Sequence, residues 1–120
     1  MARILVIDDE ASIRRSVRKL LARAGHEVDE AADGAAGIAM HAAHRYDVIM
    51  TDLRMPVCDG IEVITTLRQV DHAVRIILMS GGDQHDIDVD RFGAVRILPK
   101  PFSMQTLQSV VDSLVGKPAA

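Results

Sequence analysis

Aromatic side chains are nearly absent from this sequence, which has one tyrosine, two phenylalanines and no tryptophan in 120 residues. Its core must therefore be aliphatic. Cysteine is rarer still: Cys58 stands alone, which excludes an internal disulfide and suits a reducing compartment. There is no excess of basic residues, and the net charge of −3 argues against a nucleic-acid-binding surface. No apolar run approaches the ~20 residues of a membrane span, and the N-terminus lacks a signal-peptide pattern. The expected location is the cytoplasm, with neither a membrane nor nucleic acid as partner. Repeats, low-complexity tracts and linkers are also missing, so residues 1–120 are expected to form one domain of ordinary size. A chain this long can bury about two-thirds of its unfolded surface without disulfides or metals as staples.

What is present is a series of short apolar runs. "RILVID" (3–8), "YDVIMTD" (46–52), "VRIILMS" (74–80) and "AVRIL" (94–98) are rich in valine and isoleucine and almost continuously apolar, as strands covered on both faces are. "HEVDEA" (26–31) is a weaker fifth. Helical periodicity fills the gaps. In 11–25, Ile13, Val17, Leu20, Leu21 and Ala24 form one stripe and Gly25 supplies a stop. Residues 34–45 are alanine-rich. In 59–70, Asp59 and Glu62 have capping-box spacing, and Ser103 caps the stripe Leu107, Val110, Val111 and Leu114. Strand and helix thus alternate, which implies an α/β domain with a parallel sheet and helices on both faces.

In such sheets the reactive crevice lies beyond the carboxyl ends of the strands. Asp8, Asp9 and Glu10 follow the first run, Asp52 ends the third, Ser80 the fourth, and Lys100 follows the fifth. Clustered carboxylates cannot all stay ionised without a counter-charge, and a hard divalent cation such as Mg²⁺ supplies one. A lysine and a hydroxyl aimed at the same point suit such a site to a phosphoryl group. Pro99 and Pro101 flank Lys100 and are expected to exclude regular structure around it.

The motifs "ILVIDDE", "DVIMTDLRMPVCDG", "IILMSGG" and "LPKPF", in this order over essentially the whole chain, closely resemble the receiver domain of bacterial two-component response regulators. The resemblance implies a (βα)5 flavodoxin-like fold: a doubly wound five-stranded parallel sheet of order 2-1-3-4-5. It also implies that Asp52 is the phosphoryl acceptor. Asp9 would be a direct Mg²⁺ (or Mn²⁺) ligand, with Asp8 acting through water and the backbone carbonyl of Arg54 completing the protein's share. Ser80 would bond the phosphoryl oxygens, and Lys100 would pair first with Asp52 and then with its phosphoryl group. Gly81, Ile97 and Pro101 hold the switch positions, and the Lys100–Pro101 peptide is expected to be cis. The domain would catalyse its own phosphorylation and dephosphorylation rather than act as an enzyme on a separate substrate. Its partners would be a sensor histidine kinase or histidine phosphotransfer protein and a downstream protein, with the chain a monomer or weak homodimer.

Several residues depart from the family pattern. Ile97 stands where an aromatic residue commonly reports switching, and Pro99 is unusual before the lysine. The segment 83–92 should hold a helix, yet "DIDVD" alternates with period two, so a solvated, partly mobile stretch is expected. Its carboxylates do not make a calcium loop, because Arg91 and Ile97 occupy the places of the required glycine and glutamate. Arg54 and Gly82 hold positions that tune phosphoryl lifetime. Arg14, Arg15, Arg18, Lys19 and Arg23 crowd the first helix, where receivers typically dock their kinase. His41 and His44 lie one helical turn apart but lack a third ligand, and nothing marks Cys58 as a nucleophile. With no effector module after the last helix, the expectation is a stand-alone receiver; the alternatives are a receiver cut from a larger regulator and, less favoured, an aspartate-nucleophile phosphatase. The phosphatase needs a second aspartate where Arg54 stands. A flavin carrier is excluded because carboxylates follow the first strand where a phosphate loop would be needed.

Overall fold

The apolar runs assemble side by side. A computed structural model describes residues 2–53, 60–81 and 95–115. Its strands are β1 (Arg3–Ile7), β2 (Glu27–Ala31), β3 (Val48–Asp52), β4 (Arg75–Gly81) and β5 (Val95–Lys100), and its helices are α1 (Ala11–Arg23), α2 (Gly34–His44), α3 (Gly60–Val70) and α4 (Met104–Val115). All neighbouring strands are parallel, in the order β2-β1-β3-β4-β5. This is the doubly wound, flavodoxin-like arrangement expected.

Side chains alternate across a strand, so each strand feeds two cores. Leu5, Ile7, Ile49, Ile76 and Leu78 pack on one face with Val63, Ile64 and Leu67 of α3. Ile4, Val6, Met50, Ile77 and Met79 pack on the other with Val17 and Leu21 of α1 and Leu107 and Val111 of α4. β1, β3 and β4 are inner strands, which is why their runs are continuously apolar. β2 is an edge strand whose residues alternate between exposed and half-buried up to Ala31, so its run is weak.

β5 is the opposite edge, and here one expectation is corrected. The strand runs through Pro99 and Lys100, pairing Ser80 with Pro99 and Gly81 with Lys100. With a neighbour on one side only, an edge strand accommodates a proline that an inner strand would not. Ser103 caps α4 as expected, accepting from the Thr106 N–H at 3.1 Å. Asp33, unmarked by any pattern in the sequence, caps α2 through the Ala36 N–H at 2.8 Å. Gly25 ends α1 at φ +94°, a conformation that glycine adopts without strain. The expected cap Asp59 and the segment 83–92 lie outside the described residues.

A polar cluster ties the start of β3 to its neighbours. The Tyr46 hydroxyl donates to Asp29 Oδ2 at 2.6 Å, and the Arg3 guanidinium lies 5.5 Å over its ring. The Tyr46 N–H donates to His41 Nδ1 at 3.1 Å, so His41 Nε2 carries the proton and donates to Asp71 Oδ2 at 2.9 Å. Both ring nitrogens of this buried histidine are engaged, which accounts for it without a metal. Burial, and then the Asp29 carboxylate, push the Tyr46 phenol up to about 12, against the partial opposition of Arg3. The fold thus favours the neutral phenol. Its contribution to stability is full below the unfolded value near 10 and is lost as pH rises through about 12. Because Tyr46 is the only tyrosine and tryptophan is absent, ultraviolet absorbance reads it alone. Ionisation should occur near 12 and move down in Asp29→Asn, whereas ionisation near 10 with native circular dichroism would contradict the burial.

Candidate functional site

The alternation that builds the two cores also aims the site. Asp8 continues the parity of Ile4 and Val6, Asp52 that of Val48 and Met50, and Lys100 that of Leu98, all residues facing α1 and α4. Because β1 and β5 flank the central pair β3 and β4, these side chains leave the carboxyl ends of the strands on one side of the sheet. Oxygens of Asp8, Asp9 and Asp52 all lie within 4.8 Å of one another. Lys100 Nζ stands 3.2 Å from Asp8 Oδ2 and 3.2 Å from Asp52 Oδ1, so it serves two carboxylates rather than Asp52 alone.

Asp8 and Asp52 are buried, while Asp9 is exposed and leaves the trio open to solvent. Burial drives the Asp8 carboxyl above its ordinary value; the Glu10 N–H, donating to Oδ1 at 2.9 Å, and Lys100 oppose this, and the Asp52 charge adds to it. For Lys100, burial alone would lower the ammonium, but the charges of Asp8 and Asp52 outweigh it and the net shift is upward. Among the described residues, one fixed cation, paired with Asp8 and Asp52, thus stands beside three carboxylates. The uncompensated charge, the all-oxygen donor set and the exposed Asp9 fit a hard divalent ion such as Mg²⁺ or Mn²⁺.

Ser80 is buried near the end of β4, one strand from Asp52, and Gly81 beside it is exposed, with none of the described residues within 4 Å of where its β-carbon would stand. Ile97 is half-buried in β5, paired with Leu78. Pro101 is exposed, and the Lys100–Pro101 peptide is cis as expected. Arg54, Gly82 and Cys58 lie outside the described residues. Two site residues escape the sequence patterns. Gly60 is one; its N–H donates to the Leu53 carbonyl at 2.9 Å. A β-carbon at Gly60 would stand 2.6 Å from the Asp52 carbonyl oxygen, so α3 can start this close to the site only on a glycine. The other is Arg14, whose Nη1 donates to the Asp8 carbonyl at 2.6 Å. The available signal was a cation a turn and a half beyond the acidic loop.

Fold and site together define a flavodoxin-like α/β domain with an acidic crevice at the carboxyl ends of its strands. The response regulator receiver domain model matches residues 4–112, and the chain belongs to that family. It is similar to the transcriptional regulatory protein PrrA of Mycobacterium tuberculosis, 36% identical over 117 residues that cover 96% of this chain and 50% of that protein. Response regulator MprA of Mycobacterium avium is 35% identical over 117 residues, covering 96% and 51%. The chain therefore spans about half the length of these curated relatives. Among solved structures, the chemotaxis protein CheY4 of Vibrio cholerae superposes with a TM-score of 0.88 at 32% identity, covering 96% of this chain and 99% of that one. A receiver domain protein from Clostridium thermocellum gives 0.87 at 27% identity, covering 96% and 94%. Among the described residues, no helix is long and apolar enough to cross a membrane.

A buried carboxylate whose pKa is raised by the fold costs stability when ionised. Asp8 is therefore most favourable to folding below its unfolded value of 3.8, and this contribution falls as pH rises through the higher folded value. Asp8→Asn should raise the metal-free thermal midpoint at neutral pH by a few degrees. A lower midpoint would show that Asp8 is held by its partners more strongly than burial opposes it.

Proposed function

We propose that Asp52 accepts a phosphoryl group from a phosphohistidine on a sensor histidine kinase or histidine phosphotransfer protein. The observation that carries this reading is the position of Lys100 Nζ, 3.2 Å from both Asp8 and Asp52 at the edge of the acidic trio. A carboxylate oxygen of Asp52 forms the new P–O bond while the P–N bond of the phosphohistidine breaks, and the electron pair leaves with the imidazole. Mg²⁺ held by Asp8, Asp9 and Asp52, with the Arg54 carbonyl, would neutralise charge on the phosphoryl oxygens. Lys100 brings a fixed positive charge to the same oxygens, and because it is already ordered little reorganisation is required. The Ser80 hydroxyl donates to one phosphoryl oxygen. Ile97, half-buried one strand away, repacks in response, and the altered surface carries the signal to a downstream protein. Water later hydrolyses the acyl phosphate, so the domain promotes its own phosphorylation and dephosphorylation.

The length of the relatives favours a second reading of context, in which this domain is the receiver portion of a regulator about twice as long. The site chemistry is the same in both. Kinase docking falls to α1, where Arg15, Lys19 and Arg23 are exposed and Ile13, Val17 and Leu20 border an apolar cavity of about 450 Å³ beside Lys100 and Phe102. Incubation with Mg²⁺ and acetyl phosphate should add one phosphoryl group to the intact mass of the chain, and Asp52→Asn should gain none. Equal labelling of both proteins would refute the assignment.

A further inference from the structure

We infer that Arg14 is a positioning residue for the acidic site: clamped by Glu30, its guanidinium holds the Asp8 carbonyl and sets the loop that carries Asp8 and Asp9. The inference rests on the reading of the trio as a divalent-cation site. That loop has a physical problem to solve. It brings two carboxylates to a third against mutual repulsion, and α1, which follows at once, offers little anchorage. Glu10 at the helix N-cap makes no side-chain capping bond, and the first turn holds no acidic residue. The loop's backbone ties among the described residues are the Asp8 N–H to the Ala31 carbonyl at 3.2 Å, the Glu10 N–H to Asp8 Oδ1 at 2.9 Å and the Arg14 N–H to the Glu10 carbonyl at 3.1 Å, while Lys100 holds only the Asp8 side chain.

Arg14 supplies what these lack. From the second turn of α1 its Nη1 donates to the Asp8 carbonyl oxygen at 2.6 Å, while its Nε reaches Glu30 Oε1 in β2 at 3.3 Å. The other oxygen of Glu30 takes Arg18 Nε at 2.9 Å. Arg14 is the more enclosed of the two arginines, with its side chain 16% exposed against 47% for Arg18. The acidic loop is thereby strapped to an edge strand through a planar group that donates in two directions. A lysine in this place has one ammonium for both partners and no fixed fork. Arg14 shares Glu30 with Arg18, and its guanidinium is directed at the Asp8 carbonyl rather than at a carboxylate of the trio, so its effect on the trio comes through geometry. Arg18 shares Glu30 and, among the described residues, has no bond to the loop, which makes it the natural control.

The test is calorimetric titration of the chain with Mg²⁺ at neutral pH. Groups that orient metal ligands typically contribute about 10- to 100-fold in affinity. Arg14→Ala and Arg14→Lys should each weaken Mg²⁺ binding about tenfold, while Arg18→Ala stays within about twofold of the wild type even where it lowers the thermal midpoint as much. Affinity retained in Arg14→Ala, restored in Arg14→Lys, or lost equally in Arg18→Ala would overturn the inference. Should Arg14→Ala fail to fold, the comparison of Arg14→Lys with Arg18→Ala decides between the same outcomes. A wild-type chain that binds no Mg²⁺ would instead refute the reading of the trio itself, a distinct result.

Discussion

Lys100 stands between Asp8 and Asp52 at 3.2 Å from each, and the crevice is organised around that shared cation. At an effective dielectric constant near 20, unit charges about 4 Å apart interact by about 4 kcal/mol, so confining three carboxylates is expensive and one ammonium offsets only part of the repulsion. The sheet makes the confinement possible. Asp8 just beyond β1, Asp52 at the end of β3 and Lys100 at the end of β5 share the parity of the residues that face α1 and α4, so packing of that aliphatic core also fixes where the three emerge. The charge imbalance among the described residues fits the site to a divalent cation. Burial adds a stability cost at this end of the domain, since it raises the Asp8 carboxyl against the opposition of the Glu10 N–H and Lys100.

Much of this is legible in the sequence because it is local. The inner strands are continuous apolar runs, the helix stops and the Ser103 cap are short-range signals, and the chemistry-bearing residues fall where those runs end. Strand order comes from resemblance, since nothing in a run of valines and isoleucines says which neighbour it pairs with. Long-range features are not readable. The Arg14–Glu30 pair spans 16 residues and the His41–Asp71 pair spans 30, and neither spacing has meaning until the helices are packed. Pro99 meets the same limit: whether proline ends a strand or rides on it depends on whether that strand lies at an edge, a property of the whole sheet.

The two polar networks have different physical characters. Around Tyr46, each strong donor meets an acceptor, with the phenol on Asp29, both nitrogens of His41 engaged and Asp71 taking His41 and Arg45. That end of the domain is satisfied and structural. In the crevice the carboxylates outnumber the cation that serves them among the described residues, and Asp9 faces solvent. Among the described residues, this receiver holds its acidic trio under electrostatic tension at one end of a sheet whose other end is satisfied. Ile97 and Pro99 lie in β5 paired with Leu78 and Ser80, and the strand still delivers Lys100 to the acidic trio.

Which atom receives the phosphoryl group is the point on which the proposed chemistry turns. Borohydride reduces an aspartyl phosphate to homoserine, a change of residue that peptide mass spectrometry locates without reference to activity. After phosphorylation with Mg²⁺ and acetyl phosphate, homoserine should appear at position 52 and nowhere else in the chain. Homoserine at Asp8 or Asp9, or a phosphorylated chain that yields none, would contradict the central claim.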